Sequence, residues 1–393
     1  MSTERSLRSN ALDLLRFPLA IIIVTDHVFG ANKIDLQGQL FFFDKFEFFL
    51  LIKNLIHTFI ENQSVPIYFF IAGYVFFHGI QLTMEKYIQK MYNRFRSLFI
   101  PYIAWNTIAI IFVLLPFLPV LGTFFPRHDY HSLNISLGSI LNCFALYNGE
   151  ILGSANYFNY PGFQAITPID RPLWFVQQLI IVALLTPIIN EFLKRFGNRF
   201  LLITGLIWFF TSNAGVVLFH AFAEALFFFS FGAYLSIQKK EMITEFQKYF
   251  KLSIIVYFLS TISILILIYT VFNSTWVAEA GLDDTWLIYL KNVAVVAGLV
   301  MSYNLSAFVL KRKWLKVSKL LASSAFFIYA AHQIFIPYLL KVLALFIIPD
   351  SNSSTIMLFV ICDIIMCGGL LLLYAGMRRF TPSILKPFTG GRL

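Results

Sequence analysis

Ten apolar segments, each close to the length needed to cross a lipid bilayer, constrain the fold of this chain more than any other feature. A membrane-spanning helix needs roughly 20 mostly apolar residues, and such segments recur along the whole sequence. They lie near residues 11–30, 64–82, 98–122, 172–192, 200–217, 219–237, 252–272, 286–309, 320–340 and 355–376. The pattern predicts an all-α integral membrane protein with about ten transmembrane helices in a single polytopic domain over residues 1–393.

The amino-acid composition agrees with a bilayer environment. The 393-residue chain is 59% hydrophobic and only 13% charged, whereas soluble globular proteins are about 25% charged. The mean hydropathy is +0.75. Lysines and arginines in cytoplasmic loops explain the net charge of +10, so nucleic acid is not expected as a partner. The three cysteines lack a metal-binding spacing, and we expect no metal cofactor.

The distribution of basic residues predicts the orientation in the membrane. If the N-terminus is cytoplasmic, most lysines and arginines fall in inner segments, as the positive-inside rule requires. Both termini are then cytoplasmic. Two segments fall on the outer side in this topology. The aromatic-rich stretch over residues 39–60 is interpreted as an amphipathic helix at the outer interface, and the long connection over residues 123–171 could contribute a binding surface.

The first span carries four ionisable side chains, Asp13, Arg16, Asp26 and His27, which are costly in hydrocarbon. At about 100° per residue, Arg16 and His27 lie within roughly 20° on one helix face and about 16 Å apart along the axis. Asp13 precedes Arg16 by one turn, where an ion pair is reachable. Asp26 points about 100° away from His27, toward a neighbouring helix. Such residues usually mark function; a structural ion pair and a hydrogen-bonded interface histidine are the alternative.

The spacing Asp13-x2-Arg16-x10-His27 resembles the first helix of the acyltransferase family 3 membrane proteins. Later stretches resemble further motifs of that family, in the same order and over nearly the whole chain. They are VPIYFFIAGYVFF (65–77), KMYNRFRSLFIPYIAW (90–105), PLWFVQQLIIVALLTPII (172–189), FFFSFGAYLS (227–236) and SSAFFIYAAHQIFI (323–336). The order and spacing of these motifs agree with the predicted topology.

The resemblance implies a bacterial inner-membrane enzyme that transfers an acyl group, usually acetyl from acetyl-CoA, to a hydroxyl of a cell-surface or lipid-linked glycan. His27 is the candidate general base, because histidine commonly removes such a proton near neutral pH. Arg16 is the candidate that stabilises the negative charge developing on the thioester carbonyl, and Asp13 would hold its guanidinium in place. Binding the coenzyme A arm is the other role open to Arg16.

The donor is expected to approach from the cytoplasm, where its polyanionic end needs a basic mouth. The candidate donor-binding residues are Lys90, Arg94 and Arg96, in the basic hairpin before the third span. These three cations also satisfy the positive-inside rule, so topology charges without a ligand are the alternative.

The acceptor sugar is expected at the outer mouth, where Trp174 and Gln178 lie just inside the fourth span. Trp174 is also typical of the aromatic belt at the membrane interface. Tyr329 and His332 form the late Tyr-x-x-His motif, and we count both among the candidate substrate-binding residues. His332 could orient His27, contact the acyl donor or complete a buried polar network.

Two other functions fit parts of the sequence. A transporter or flippase of a glycan or anionic substrate would also use buried ionisable residues, but we find no paired halves with broken spans. A non-catalytic acyl-CoA-binding member of the same fold is the second alternative. Two departures from the family pattern favour it: Ala72 replaces a usual serine, and Arg96 lies one position before the second arginine of Arg-x-x-Arg.

Overall fold

The computed structural model of the protein describes residues 2–36, 39–118, 135–145, 167–212, 217–269 and 285–391. These residues are predominantly helical. The helices are α1 (Ser2–Phe29), α2 (Glu47–Ile56), α3 (Asn62–Phe77), α4 (Met84–Arg94), α5 (Ile100–Leu114), α6 (Leu137–Asn142), α7 (Trp174–Leu184), α8 (Thr186–Phe196), α9 (Asn198–Thr211), α10 (Val217–Ile237), α11 (Met242–Gln247), α12 (Phe250–Leu267), α13 (Thr285–Lys311), α14 (Lys319–Ala344), α15 (Asn352–Phe380) and α16 (Pro382–Thr389). Single π-helical turns cover His57–Glu61 and Phe95–Phe99, and 3-10 turns cover Leu115–Phe117 and Arg171–Leu173.

Among the described residues, six helical segments are long and apolar enough to cross a membrane on their own. They are Met84–Leu114, Phe219–Ile237, Phe250–Leu267, Trp286–Lys311, Lys319–Ala344 and Asn352–Phe380. Arg171–Leu184 and Thr186–Phe196 pass the same test together, with a bend of 64° between them. The other three predicted spans coincide with α1, which is interrupted by charged residues, and with α3 and α9, which have only 16 and 14 residues.

The protein is therefore an all-α membrane protein, as predicted. The count of ten spans, the cytoplasmic location of both termini and the single domain stay predictions. Most of the expected outer connection over residues 123–171 lies outside the described residues.

A short β-hairpin follows α1 and corrects one prediction. Strands β1 (Lys33–Leu36) and β2 (Gln39–Phe42) pair in antiparallel fashion. The amphipathic helix expected over residues 39–60 is wrong in its first part, because α2 begins only at Glu47. Consecutive aromatic residues fit a pleated strand as well as a helix, so the apolar character of this stretch did not distinguish the two.

The chain divides into two compact units. The first comprises residues 1–26, 54–89 and 181–322, and the second comprises residues 27–53, 90–180 and 323–393. In the first unit, α3 packs along α10 and α12 packs along α13.

Two glycines bring the backbones of α3 and α10 into direct contact. A Cβ atom added to Gly73 would lie 1.9 Å from the carbonyl oxygen of Phe229, and one added to Gly232 would lie 2.0 Å from the carbonyl oxygen of Phe70. Membrane helices pack closely where small residues face each other, since hydrocarbon side chains gain little from leaving lipid. The reciprocal contact fixes how these two helices cross.

The second unit has an aromatic core near the hairpin. Rings of Phe29, Phe43, Phe49 and Phe359 meet there, and Phe359 lies 4.7 Å from Phe49 and 4.9 Å from Phe43 between ring centroids. The Oδ1 atom of Asn352 accepts a hydrogen bond of 3.1 Å from the backbone N–H of Phe49, which satisfies one orphan donor in the first turn of α2. The end of α1, the hairpin, α2 and α15 are thus held together.

Candidate active site

Two histidines from distant parts of the sequence meet in the second unit. The ring of His27, near the end of α1, lies 5.0 Å from the ring of His332 between centroids, at an interplanar angle of 76°. His332 is fully buried in the middle of α14, between other buried residues of that helix. Of the predicted site residues, these two are brought into direct ring contact.

A hydrogen bond within α14 determines which nitrogen of His332 carries a proton. Its Nδ1 atom lies 3.3 Å from the carbonyl oxygen of Ile328, one turn earlier. A carbonyl only accepts, so Nδ1 is the protonated donor and Nε2 of the neutral ring is an acceptor. Among the described residues, Nε2 has no hydrogen-bond partner. His332 therefore offers a buried acceptor beside His27.

Tyr329 connects this helix to the segment that precedes α7. Its hydroxyl donates a hydrogen bond to the carbonyl oxygen of Pro172, in the 3-10 turn Arg171–Leu173. Its ring lies 6.2 Å from that of His332 and 6.0 Å from that of Phe175 between centroids. Tyr329 was expected to bind substrate, and the structure gives its hydroxyl a structural partner in addition.

The segment around α7 carries the two predicted acceptor-binding residues. Trp174 is half-buried at the start of the helix. Gln178 is 2% exposed, and its Oε1 atom has no hydrogen-bond partner among the described residues. The role of Trp174 and Gln178 in binding the acceptor stays a prediction.

Asp170, directly before the 3-10 turn, was missed in the sequence. It is 1% exposed, and neither carboxyl oxygen has a partner within the described part of the chain. Burial raises the pKa of this carboxyl well above its usual range. Its position offered no distinctive signal, because aspartate is a preferred residue directly before the start of a helix.

The Asp13–Arg16 ion pair predicted from helix spacing is present in the first unit. An arginine Nη1 atom lies 3.0 Å from Asp13 Oδ1, and both side chains are about one-third exposed. Tyr68 of α3, which the sequence did not single out, donates a hydrogen bond from its hydroxyl to the backbone carbonyl of Arg16. The pair is thus anchored to α3 through the main chain of α1.

Asp26 points away from the face of His27, as expected, and contacts a different histidine. Its Oδ1 atom lies 3.3 Å from Nδ1 of His57, in the π-helical turn that follows α2. The sequence did not single out His57 as the partner of Asp26.

The three candidate donor-binding cations differ in their exposure. Lys90 and Arg94 lie one turn apart on the same face of α4, and both are half-buried. Arg96 lies in the π-helical turn Phe95–Phe99, is exposed, and stacks over the ring of Tyr92 at 5.0 Å. The Lys90–Arg94 pair is accordingly the stronger candidate for binding phosphate.

Comparison with known proteins decides the family of this chain. The family model of acyltransferase family 3, described as an acyltransferase domain, matches residues 9–375. The chain belongs to acyltransferase family 3. It is therefore a membrane acyltransferase, and the resemblance noted in the sequence is confirmed. No curated protein and no solved structure matches the chain.

Two of the motifs that this family 3 chain carries serve packing. Gly73, in the Ala72-Gly73-Tyr74 triplet, and Gly232, in the later Phe-x-x-Gly-Ala motif, are the residues that bring α3 and α10 together. Ala72, where the family usually has a serine, is the neighbour of Gly73. This triplet therefore supports a helix crossing, and its departure from the family pattern lies outside the histidine pair.

Proposed function

We propose that this membrane acyltransferase is an O-acyltransferase that moves an acetyl group from acetyl-CoA, on the cytoplasmic side, to a hydroxyl of an extracytoplasmic glycan. The observation that carries the proposal is the contact between His27 and the fully buried His332 in a family 3 chain. Acyl transfer to a hydroxyl needs a general base, and a histidine oriented by a second group is a common solution.

In the proposed reaction His27 removes the proton of the acceptor hydroxyl. The oxygen attacks the thioester carbonyl, the carbon–sulfur bond breaks, and the proton passes from His27 to the departing thiolate. The Nε2 acceptor of His332 supports this assignment, since it lies beside the ring of His27 and can accept an N–H of that ring, which makes the other ring nitrogen of His27 the candidate base. His332 then acts as the residue that orients His27.

Arg16 and Asp13 fit the donor better than the reacting carbonyl. They precede His27 in the same continuous helix, and Arg16 is about 16 Å from His27 along its axis. That rise is too long for one side chain to reach a group beside His27. Of the two roles open to Arg16, binding the coenzyme A arm is favoured, and Asp13 at 3.0 Å holds its guanidinium.

The two substrates are assigned to opposite ends of the protein on chemical grounds. Lys90 and Arg94 supply two cations for the phosphates of the donor, with Arg96 as an exposed third. Trp174 and Gln178 supply an aromatic ring and an amide for a sugar acceptor, either at the cell surface or linked to a lipid. The proposal includes location in the bacterial inner membrane, in contact with its lipids.

The experiment uses purified protein in lipid nanodiscs with radiolabelled acetyl-CoA and a crude cell-envelope glycan fraction. Label transfer to the glycan is compared among wild type, His27→Ala and His78→Ala. His78 is a matched control, because its ring also packs against a neighbouring ring, that of Tyr74, at 5.5 Å between centroids. We expect His27→Ala to lower transfer by about 100-fold or more, as loss of a general base does, and His78→Ala to keep most of it.

Other outcomes separate the alternatives. Equal transfer by wild type and a correctly folded His27→Ala removes His27 from the chemistry. Binding of acetyl-CoA without turnover indicates a non-catalytic member of the family or another acyl donor. Movement of unmodified glycan across a vesicle membrane, without acetyl-CoA consumption, indicates a transporter.

A further inference from the structure

A set of buried oxygen atoms lies along one segment of the second unit. Within the described residues, both carboxyl oxygens of Asp170 and the Oε1 atoms of Gln177 and Gln178 have no hydrogen-bond partner. Asp170 and Gln178 are 1% and 2% exposed. A buried acceptor without a partner is costly, and native proteins keep few of them. Four such atoms within nine consecutive residues indicate a place where a hydrogen-bonding molecule is bound.

The surrounding contacts hold these oxygens in position. The backbone N–H of Asp170 donates to Oδ1 of Asn106 at 3.2 Å, and the Asp170 carbonyl accepts from Leu173 N–H at 2.9 Å. The Nε2 atom of Gln177 donates to the carbonyl of Ala145 at 3.3 Å, which turns that amide so that its oxygen remains for another partner. Gln177 lies in the first turn of α7, and Asp170 directly precedes the 3-10 turn that leads into this helix, so both belong to the same end of one segment.

This segment is joined to the histidine pair by one hydrogen bond. Tyr329 donates to the carbonyl of Pro172, and its ring is next to that of His332. Pro172 is two residues after Asp170, so their Cα atoms are at most about 7.6 Å apart. The buried oxygens therefore lie near the tyrosine–histidine group that contains His27.

We propose that Asp170, Gln177 and Gln178 bind the acceptor by taking hydrogen bonds from at least two of its hydroxyl groups. This inference rests on the proposed function and adds a specificity-determining acid to it. The amide oxygens only accept, so their partners must be donors, and a sugar ring offers several adjacent hydroxyl donors.

The carboxyl group of Asp170 adds a preference for a neutral ligand. Since burial keeps it protonated over a wider pH range, it donates one hydrogen bond and accepts others. A protonated carboxyl offers no negative charge to an amine, so an amino sugar with a free ammonium group gains little there. A polyhydroxylated, uncharged sugar ring is the ligand class that this arrangement selects.

The test measures the apparent KM for the crude envelope glycan fraction and, separately, the apparent KM for acetyl-CoA. The variants are Asp170→Ala, which removes both carboxyl oxygens, and Gln178→Leu. Gln238→Leu, at an exposed position after α10, is the matched control. We expect Asp170→Ala and Gln178→Leu to raise the glycan KM about ten-fold each without a comparable change in the acetyl-CoA KM, and Gln238→Leu to change neither.

A direct binding measurement keeps the inference testable if the wild type shows no acetyl transfer. Labelled glycan fraction is titrated against each nanodisc sample by microscale thermophoresis. Weaker binding by both site variants supports the acceptor site even where the proposed acetyl-CoA chemistry fails. If folded Asp170→Ala and Gln178→Leu keep the wild-type glycan KM and affinity, the buried oxygens are satisfied by water alone and the inference is overturned.

Discussion

Replacing Gly73 with alanine tests the backbone contact between α3 and α10. The new methyl carbon would lie 1.9 Å from the carbonyl oxygen of Phe229, whereas ordinary van der Waals contact begins at 3.4 Å. The helices must therefore separate by about 1.5 Å, and a gap of even 0.5–1 Å already forfeits roughly a quarter to a half of each dispersion contact. Because the clashing atom belongs to the backbone of α10, no rotation of a side chain relieves it.

The expected cost follows from these distances. Overpacking costs typically about 1–3 kcal/mol, and a clash with backbone belongs at the upper end. Alanine recovers up to about 1 kcal/mol of helix propensity relative to glycine, so a net loss of about 2 kcal/mol remains. We expect the apparent Tm in detergent, followed by tryptophan fluorescence, to fall by roughly 2–3 °C.

Gly368→Ala is the matched control for this experiment. Gly368 also lies within a long helix, α15, but a Cβ atom there meets nothing within 4 Å. This substitution is expected to be neutral or slightly stabilising. Combining Gly73→Ala with Gly232→Ala should cost less than the two single changes together, since both relax the same crossing. If the apparent Tm of Gly73→Ala equals that of Gly368→Ala, the close contact between α3 and α10 is refuted.

Three further outcomes are expected. Tyr329→Phe removes the side-chain hydrogen bond to the buried carbonyl of Pro172, so the unfolding free energy should fall by about 1 kcal/mol, measured as a lower Tm. Since burial raises the pKa of Asp170 above its unfolded value of about 3.9, wild-type stability falls as pH rises through the folded pKa. When Tm is measured from about pH 5 to pH 8, Asp170→Asn should remove this decline. If Tm falls with pH as steeply in the variant as in the wild type, the decline does not come from Asp170. Asp13→Asn breaks a partly exposed ion pair and should change stability by less than about 1 kcal/mol but reduce acetyl transfer; a large loss of Tm would instead favour a structural role.

Local spacing predicted the parts of the molecule that depend on helix geometry alone. The Asp13–Arg16 pair follows from a separation of three residues in a helix, and the direction of Asp26 follows from 100° per residue. The long helices could be predicted because apolar length is a sufficient signal in a membrane protein. The hairpin at residues 33–42 could not, since its aromatic residues fit both helix and strand.

The assembly of the candidate site depends on contacts that are remote in sequence. Tyr329 and Pro172 are 157 residues apart, and nothing in either motif predicts their hydrogen bond. The contact between His27 and His332 could not be predicted either, because each histidine belongs to a different motif and neither motif indicates the other. Asp170 escaped notice because its significance lies in burial without a described partner, and burial is a property of the folded chain.

The hydrogen bond that His332 makes to its own helix bears on how protons travel. A histidine relays a proton by accepting it at one nitrogen and releasing it from the other, so both nitrogens must have partners able to exchange protons. Here Nδ1 donates to the amide carbonyl of Ile328, which cannot carry a proton onward. In the proposed reaction the hydroxyl proton accordingly leaves with the thiolate and does not traverse the bilayer through His332. Acyl transfer then moves no proton through His332.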